Sequence, residues 1–256
     1  MSSGYIIPSL DRAFVVLDVL AQAGRGLSLA ELGRSCDVPK STLFRILVTL
    51  QEHHCVIWNA EERSYRLGSK LWELGSHFLG NSDLYQLAAK PMRELAEDSR
   101  ETVFLGQLED GQVIYLRRME SPRSVMVVQK LSQRVPAHCT ATGVAMLAYL
   151  REGEVDDILD RHGMEAFNAG TVTDRTQLKT RLAMVRRQGY SIVDGEYNQD
   201  VLCMSVPVFN HTHRPIAAIT VAMLSSQRPT EDRIAAITAQ IKQSARSLSI
   251  ELGFRG

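Results

Sequence analysis

The stretch SLAELGRSCDVPKSTLFRILVTL, residues 28–50, predicts two helices joined by a tight turn. Ser28 precedes an apolar run and has Glu31 three residues later, which is the pattern of a capping box at a helix start. Pro39 disfavours helical backbone at the residue before it, so we expect the first helix to end there and a second to begin at Ser41. A capped helix, a turn and a second helix of this length are the parts of a helix-turn-helix.

The second of these helices has two distinct faces. At about 100° per residue its apolar side chains fall together, opposite the polar ones. The apolar face comprises Leu43, Ile46, Leu47 and Leu50, and the polar face comprises Ser41, Thr42, Arg45, Thr49 and Glu52. Arg45 can pair with guanine in the major groove, Thr42 can meet a base edge or a thymine methyl group, and Lys40 suits phosphate. An amphipathic hairpin with a solvated polar face is the alternative that this pattern alone leaves open.

Two short strands are predicted after this pair of helices. Residues 56–59 and 64–67 flank a charged turn, as in a hairpin. A hairpin at that place is the wing of a winged helix-turn-helix, and its Arg63 would contact the DNA backbone. A further helix precedes the pair, capped by Ser9 and ended by Gly24. The residues that we expect to contact DNA are Arg12, Lys40, Ser41, Thr42, Arg45, Thr49 and Arg63.

The remainder of the chain alternates helix and strand patterns. Helices are expected at about 84–96, 142–150, 174–188 and 230–252, and strands at 102–108, 112–119, 124–128, 190–193, 201–209 and 216–224. Pro91 predicts a kink or break in the first of those helices. The mixture indicates an α+β fold around a mostly antiparallel sheet. We therefore expect a DNA-binding domain at 1–69, a linker helix at 70–83 and a second domain at 84–256.

Composition and charge narrow the class of protein. The 256 residues carry 29 Lys and Arg against 29 Asp and Glu. This balance argues against a protein that coats nucleic acid unspecifically, because that mode needs many cationic contacts to phosphates. It does not exclude a compact protein that binds one specific DNA sequence. The chain has no run of ~18 apolar residues and its start lacks a secretory signal, so we expect a cytoplasmic protein without a membrane contact. Its four cysteines form no C-x-x-C pair, so neither a disulfide framework nor a cysteine zinc site is expected.

Motifs of several common enzyme classes are absent from the sequence. It contains no G-x-x-x-x-G-K-[ST], G-x-G-x-x-G, G-x-S-x-G or H-E-x-x-H. His211 and His213 stand in a loop with no third ligand implied, and adjacent His138 and Cys139 lack an orienting carboxylate. We therefore expect no catalytic residue, no metal and no cofactor. Two alternatives stay open: an enzyme that uses Cys203 or Cys139 as nucleophile, and a winged helix that binds protein.

Short motifs along the chain resemble the IclR family of bacterial transcription regulators. In the first domain they are Ser9–Ala13, Leu27–Leu32, Val38–Thr42, Arg45, Tyr65–Gly68 and Leu74 with Gly75. In the second domain they are Ala89–Pro91, Glu101–Val103, Thr140–Gly143, Gly189 with Tyr190, Cys203, Pro207 with Val208, Ile216–Val221 and Leu252 with Gly253. The resemblance implies a winged helix-turn-helix, a linker helix and a GAF-like effector-binding domain, assembled as homodimers or dimers of dimers. Two joined copies can bind two half-sites, so we predict double-stranded operator DNA of pseudo-palindromic sequence.

The resemblance also places an effector between the sheet and the loop before the helix at 142, and implies a small organic acid, an aromatic acid or a sugar acid. The small residues of 136–143 lead into a helix start, where N–H groups favour a carboxylate. The expected effector-binding residues are Thr140, Ala141, Thr142, Gly143, Asp194, Glu196, Cys203 and Thr220. Val144 and Asp200 depart from what many relatives carry there, and Ala222 stands where some relatives place a serine, which would change the ligand geometry. We expect effector and DNA binding to be linked, each changing the other's affinity by the same factor.

Overall fold

The structure is a computed structural model that describes residues 5–80, 82–129, 131, 133–227 and 229–255. The chain divides into two units, Met1–Asn81 and Ser82–Gly256. Within the described ranges, no helix is both long enough and apolar enough to cross a membrane.

Four helices and a hairpin form the described part of the first unit. In chain order they are α1 (Pro8–Ala23), α2 (Leu29–Cys36), α3 (Lys40–Glu52), β1 (Val56–Asn59), β2 (Ser64–Leu67) and α4 (Ser69–Gly80). The first three helices meet in a core whose fully buried side chains include Leu32, Leu43 and Leu47. β1 and β2 pair antiparallel, with Val56 opposite Leu67. The predicted helix-turn-helix and its wing are therefore confirmed.

The start of α2 is held by the capping box that the sequence predicts. The Ser28 hydroxyl accepts the N–H of Glu31, and the Glu31 carboxylate accepts the N–H of Ser28 at 2.8 Å. The N–H and the hydroxyl of Ser28 both donate to the Glu31 carboxylate, which favours its charged form and lowers the pKa of Glu31 to about 2. Asp37 follows α2 with a left-handed backbone, φ 47°, which turns the chain toward α3.

The starts of two helices differ from the expectation. α1 begins at Pro8 and is not capped by Ser9. The ring of Pro8 fixes a helical φ and has no N–H to leave unsatisfied, so a proline serves as the first helical residue. α3 begins at Lys40, one residue before Ser41, and no side chain caps it.

The second unit surrounds one antiparallel sheet with helices. Its helices are α5 (Asp83–Leu87), α6 (Ala89–Ser99), α7 (Ala141–Leu147), α8 (Glu152–His162), α9 (Arg175–Gln188) and α10 (Glu231–Glu251). Its strands are β3 (Thr102–Glu109), β4 (Gln112–Met119), β5 (Arg134–Pro136), β6 (Ser191–Asp194), β7 (Val201–Phe209) and β8 (Pro215–Leu224).

The six strands follow the order β5-β4-β3-β8-β7-β6, and each neighbouring pair is antiparallel. Successive residues of a strand face opposite sides, so buried strands give the sheet two apolar faces. One face, which includes Val221, packs against α6 and α10. The other, which includes Ala222, packs against α7, α8 and α9. The predicted α+β fold with a mostly antiparallel sheet is confirmed.

Two segments of the second unit depart from the predicted pattern. Residues 124–128 form no strand, and Val125 and Val128 are exposed. A strand needs a partner, and the edge of β4 is instead paired with β5, which the sequence does not predict. α8 is also missed, because only Val155 and Leu159 are buried along this charged helix.

The break that Pro91 predicts is present, but it lies at Ala88, between α5 and α6. Proline has no N–H to donate back to the carbonyl four residues earlier. Pro91 is therefore accommodated in the first turn of α6, where that donor is not needed. α7 also ends at Leu147, three residues before its expected end.

Candidate functional site

α3 exposes much of the polar face that the sequence assigns to DNA. Four of the expected residues are exposed, namely Lys40, Ser41, Arg45 and Thr49, while Thr42 is half-buried. The first turn of α3 carries no acidic side chain. Exposed cations and hydroxyls at a helix start suit contacts to phosphates and base edges.

Not all of the α3 residues that we expect to contact DNA lie on the most exposed side of the helix. Thr42, Arg45 and Thr49 line a groove between α3 and α1, whose other wall includes Leu10 and Ala13. The Thr49 hydroxyl donates to the carbonyl oxygen of Arg45 at 2.9 Å, so it offers an acceptor to an incoming group. Thr42 and Thr49 thus lie on the flank of the helix that faces α1.

Two further expected cations lie outside α3. Arg12 is exposed on α1, and Arg63 is exposed in the hairpin turn, where its φ of 49° is left-handed. The sequence pattern does not single out Phe44 and Val48, which are 51% and 42% exposed on α3. Their exposure follows from the helical wheel, because both point away from the core residues of α3.

A cavity lies between the sheet of the second unit and the start of α7. Its volume is about 70 Å³, room for a small molecule, since one water needs about 10–15 Å³. Two neighbouring rows of the sheet form its floor. Phe104 of β3 and Thr220 of β8 are opposite each other in one row. The next row comprises Ala222 of β8, Cys203 of β7 and Val193 of β6.

α7 is buried at every residue and lies very close to the sheet. Gly143 faces the backbone of Ala137, where a Cβ would lie 2.2 Å from the carbonyl oxygen. On the sheet, a Cβ at Gly106 would lie 2.7 Å from Cγ2 of Thr142. The absence of both Cβ atoms therefore permits the approach that brings the start of α7 to the cavity wall.

A chain of buried hydroxyls joins α7 to the sheet beside the cavity. Ser205 donates to the carbonyl oxygen of Ile219 at 3.3 Å, and Thr220 donates to Ser205 at 2.8 Å. The hydroxyl oxygens of Thr142 and Thr220 lie 2.7 Å apart, and each hydroxyl has only one proton to donate. The Thr142 oxygen also lies 3.3 Å from the Tyr115 hydroxyl. Toward the cavity, Thr220 therefore offers a lone pair and no proton.

Glu196 brings a carboxylate to the cavity wall. It is buried, and its carboxylate lies 2.7 Å from the guanidinium of Arg181. The second carboxylate oxygen accepts the N–H of Val172 at 3.4 Å. The backbone carbonyl of Glu196 accepts bonds from the Thr171 hydroxyl and the Asn168 amide. Since Arg181 balances its charge, Glu196 repels an anionic ligand less than an unpaired carboxylate would.

Five of the eight expected effector residues line the cavity, namely Thr140, Ala141, Glu196, Cys203 and Thr220. Thr142 and Gly143 lie behind this wall in α7, where they position the helix. Asp194 is exposed and accepts a hydrogen bond from the Ser225 hydroxyl at 2.7 Å, away from the cavity lining. The structure therefore brings together most of the expected set and leaves Asp194 outside it.

The sequence does not predict several residues of the cavity wall. Phe104 and Tyr115 line it with ring centroids 5.2 Å apart, and Tyr197 and Asn198 line it from a loop. The alternation of β3 and β4 could have placed the first two on the face that packs against α7. The loop residues carry no periodic pattern, so no sequence feature marks them.

Burial keeps the thiols and the phenol at the cavity protonated. It raises the pKa of Cys203 to about 12 and the pKa of Cys139 to about 12. It also raises the pKa of Tyr115 above its ordinary value. The pKa of His138 is lowered by burial, and its Nε2 lies 3.0 Å from the carbonyl oxygen of Glu165. A carbonyl only accepts, so that nitrogen carries the proton and cannot serve as a base.

In the loop between β7 and β8, His213 has a packing role. The ring of His213 lies edge-on to Phe254, with centroids 5.0 Å apart. In the part of the chain that the structure describes, no group of three or more His, Cys, Asp or Glu side chains is placed to hold a metal ion.

Family models match both units. The model described as bacterial transcriptional regulator IclR C-terminal matches residues 76–250, and the IclR helix-turn-helix domain matches residues 9–56. The helix-turn-helix match lies within the first unit and includes α3, and the C-terminal match spans most of the second unit and includes the residues that line the cavity.

Full-length relatives agree with these matches. The HTH-type transcriptional regulator XynR of Escherichia coli K12 is 33% identical over 97% of this chain and 98% of its own length. The regulator KdgR of the same strain is 30% identical over 97% of this chain and 94% of its own length. A solved IclR transcriptional regulator from Alicyclobacillus acidocaldarius superimposes with a TM-score of 0.85 at 28% identity, covering 96% of this chain and 99% of that one. The chain therefore belongs to the IclR family of bacterial transcriptional regulators.

Proposed function

We propose that α3 enters the major groove of operator DNA, with Arg45 on a base edge and Lys40 and Ser41 on phosphates. The observation that carries this proposal is the exposed, acid-free start of α3, which follows a capped helix and precedes a hairpin wing. Membership of a family of DNA-binding transcriptional regulators supports it independently.

The other residues that we expect to contact DNA add contacts beside those of Lys40, Ser41 and Arg45. Thr42 and Thr49 meet the DNA from the flank of α3, where they line the groove beside α1. Arg12 and Arg63 contact phosphates, since both are exposed and lie outside the reading helix. Phosphate contacts fix the register of the protein on the duplex, and base contacts select the sequence.

Two copies of the chain share one operator in this proposal, as a homodimer or a dimer of dimers. α4 exposes Leu74 and Phe78, which are four residues apart and lie on the same side of the helix. Large apolar side chains in such a row support contact with a second copy. When two DNA-binding domains are joined, binding of the first raises the effective concentration of the second at its half-site. This arrangement matches a pseudo-palindromic operator.

The cavity of the second unit takes the effector, which we assign to the small organic, aromatic or sugar acids. The rings of Phe104 and Tyr115 suit the apolar body of such a molecule. Thr140 and Ala141 place the start of α7 at the wall, where helix N–H groups favour a carboxylate. The lone pair of Thr220 suits a ligand group that donates a proton, such as a hydroxyl.

Regulation in this proposal needs no covalent step. The effector binds more tightly to one arrangement of the two DNA-binding domains and so shifts the population toward that arrangement. The relatives are regulators, and the thiols of Cys139 and Cys203 are held protonated, which supports a binding role for the cavity.

The first test is of the reading helix. Replacing Arg45 with alanine should weaken operator binding about five- to 150-fold, because a guanidinium on guanine contributes about 1–3 kcal/mol of discrimination. Fluorescence anisotropy with labelled DNA from upstream of its own gene, at several salt concentrations, measures the effect. Arg187→Ala removes the same charge from an exposed position of α9 and should bind like the wild type. Equal losses in both variants would contradict the role of Arg45.

The second test is of the effector class. Calorimetric titration of benzoate, pyruvate and gluconate, each beside its amide, should find an acid that binds at least roughly tenfold more tightly than its amide. The reason is that a hydrogen bond to a charged group stabilises by about 1.5–3 kcal/mol. An amide that binds as well as its acid, or no binding by any of the three acids, would rule out the carboxylate assignment.

The third test separates a binding pocket from an active site. With a pKa of about 12, only about one Cys203 thiol in thirty thousand is ionised at pH 7.5, so iodoacetamide should label it slowly. Labelling in urea should be faster by about three orders of magnitude, because an unburied thiol has a pKa of about 8.5. Peptide mass spectrometry follows Cys203 and Cys139 separately. Rapid stoichiometric labelling of either thiol in the native protein would favour the enzyme alternative.

A further inference from the structure

Two large apolar side chains lie on the outward surface of the reading helix. Phe44 is 51% exposed and Val48 is 42% exposed, whereas Leu43 and Leu47 beside them are fully buried. Single exposed apolar residues are common on protein surfaces. Here two of them stand one helical turn apart on the element that carries the expected base contacts.

Helical geometry places these side chains among the DNA-contacting residues. At about 100° per residue, Ser41, Phe44, Arg45 and Val48 fall within about 100° of one another. Val48 and Arg45 both lie within about 40° of the direction opposite the core of α3. A helix that presents this surface to DNA therefore brings Phe44 and Val48 to the bases together with Arg45.

The charges around Phe44 also fit a polyanion, whereas the exposed carboxylate of Glu52 lies one turn beyond Val48. Lys40 and Arg45 flank Phe44 along the helix, and the first turn of α3 has no acidic side chain. Side chains of a helix lean toward its N-terminus, so Phe44 covers the turn that begins with Lys40. In helix-turn-helix proteins this is the end of the reading helix that contacts base edges.

We propose that Phe44 and Val48 contact the C5-methyl groups of thymines in the major groove and so make the operator thymine-specific at those positions. This inference rests on the proposed reading of DNA by α3. Neither side chain can form a hydrogen bond with a base edge. Thymine is the base that displays a methyl group in the major groove, so apolar contact there distinguishes it from cytosine.

The test removes the methyl group and nothing else. The full-length wild-type protein first selects its site from random duplexes. Each thymine of that site is then replaced in turn by deoxyuridine, and anisotropy measures the affinity. At least two thymines in each half-site should each lose about three- to tenfold in affinity, because burying one carbon group contributes about 0.8 kcal/mol, or fourfold, and a methyl packed on two sides contributes more.

The variants connect that loss to the two side chains. Phe44→Ala and Val48→Ala should each bind the thymine and uridine duplexes equally well at one position while retaining the uridine effect at the other. Phe14→Ala is the matched control, since Phe14 is 60% exposed on α1 and should leave every ratio unchanged. The measured quantity is the ratio of the affinities of one variant for the thymine and uridine duplexes. A general loss of stability or of assembly lowers both affinities and leaves this ratio unchanged.

A selected site without thymines, a site insensitive to uridine, or a uridine effect that survives in both variants would overturn the inference while leaving the reading role of α3 intact. A change of oligomeric state in Phe44→Ala with unchanged ratios would assign the pair to contact with a second copy and would also overturn it. If the wild-type protein selects no sequence, the proposed DNA reading itself fails.

Discussion

The close approach of α7 to the antiparallel sheet is the constraint on which the rest of the second unit depends. It is possible because Gly106 has no Cβ where the sheet meets the Thr142 side chain, and because Gly143 has none where α7 contacts the backbone of Ala137. It is held because the hydroxyls of Thr142, Thr220 and Ser205 satisfy one another inside the core. A buried hydroxyl without a partner costs about 1–3 kcal/mol, and moving α7 away would separate the Thr142 hydroxyl from that of Thr220. The cavity wall exists because this contact is both tight and polar.

The first unit must bury enough apolar surface for a small core and still leave the proposed DNA-contacting side chains exposed. α3 does both by dividing its residues: Leu43 and Leu47 pack inward, and Lys40 and Arg45 remain exposed. The bonds of the Ser28 capping box fix the start of α2 before the turn. The reading helix is therefore positioned by local interactions, whereas the cavity is positioned by contacts between distant parts of the chain.

That difference explains what the sequence could predict. Helical period and a three-residue capping pattern predict α2 and α3 directly, and family motifs indicate Thr140, Cys203 and Thr220. The wall formed by Tyr115 and Tyr197 could not be predicted in the same way. It depends on strand register and on a loop path, and the bond that fixes α7 joins residues 78 positions apart. Asp194 was expected in the site on motif position alone, yet its side chain is exposed and bonded to a neighbouring hydroxyl.

The central claim is that the ligand in the second unit and the DNA on the first are energetically coupled. The most direct measurement is the affinity of the tightest-binding acid for the free protein and for the protein saturated with operator. The account predicts two different affinities, whose ratio equals the factor by which saturating acid changes operator affinity, because coupling between two binding events is reciprocal. Identical acid affinities with and without operator would contradict it, all the more clearly if the acid still changed the occupancy of the DNA.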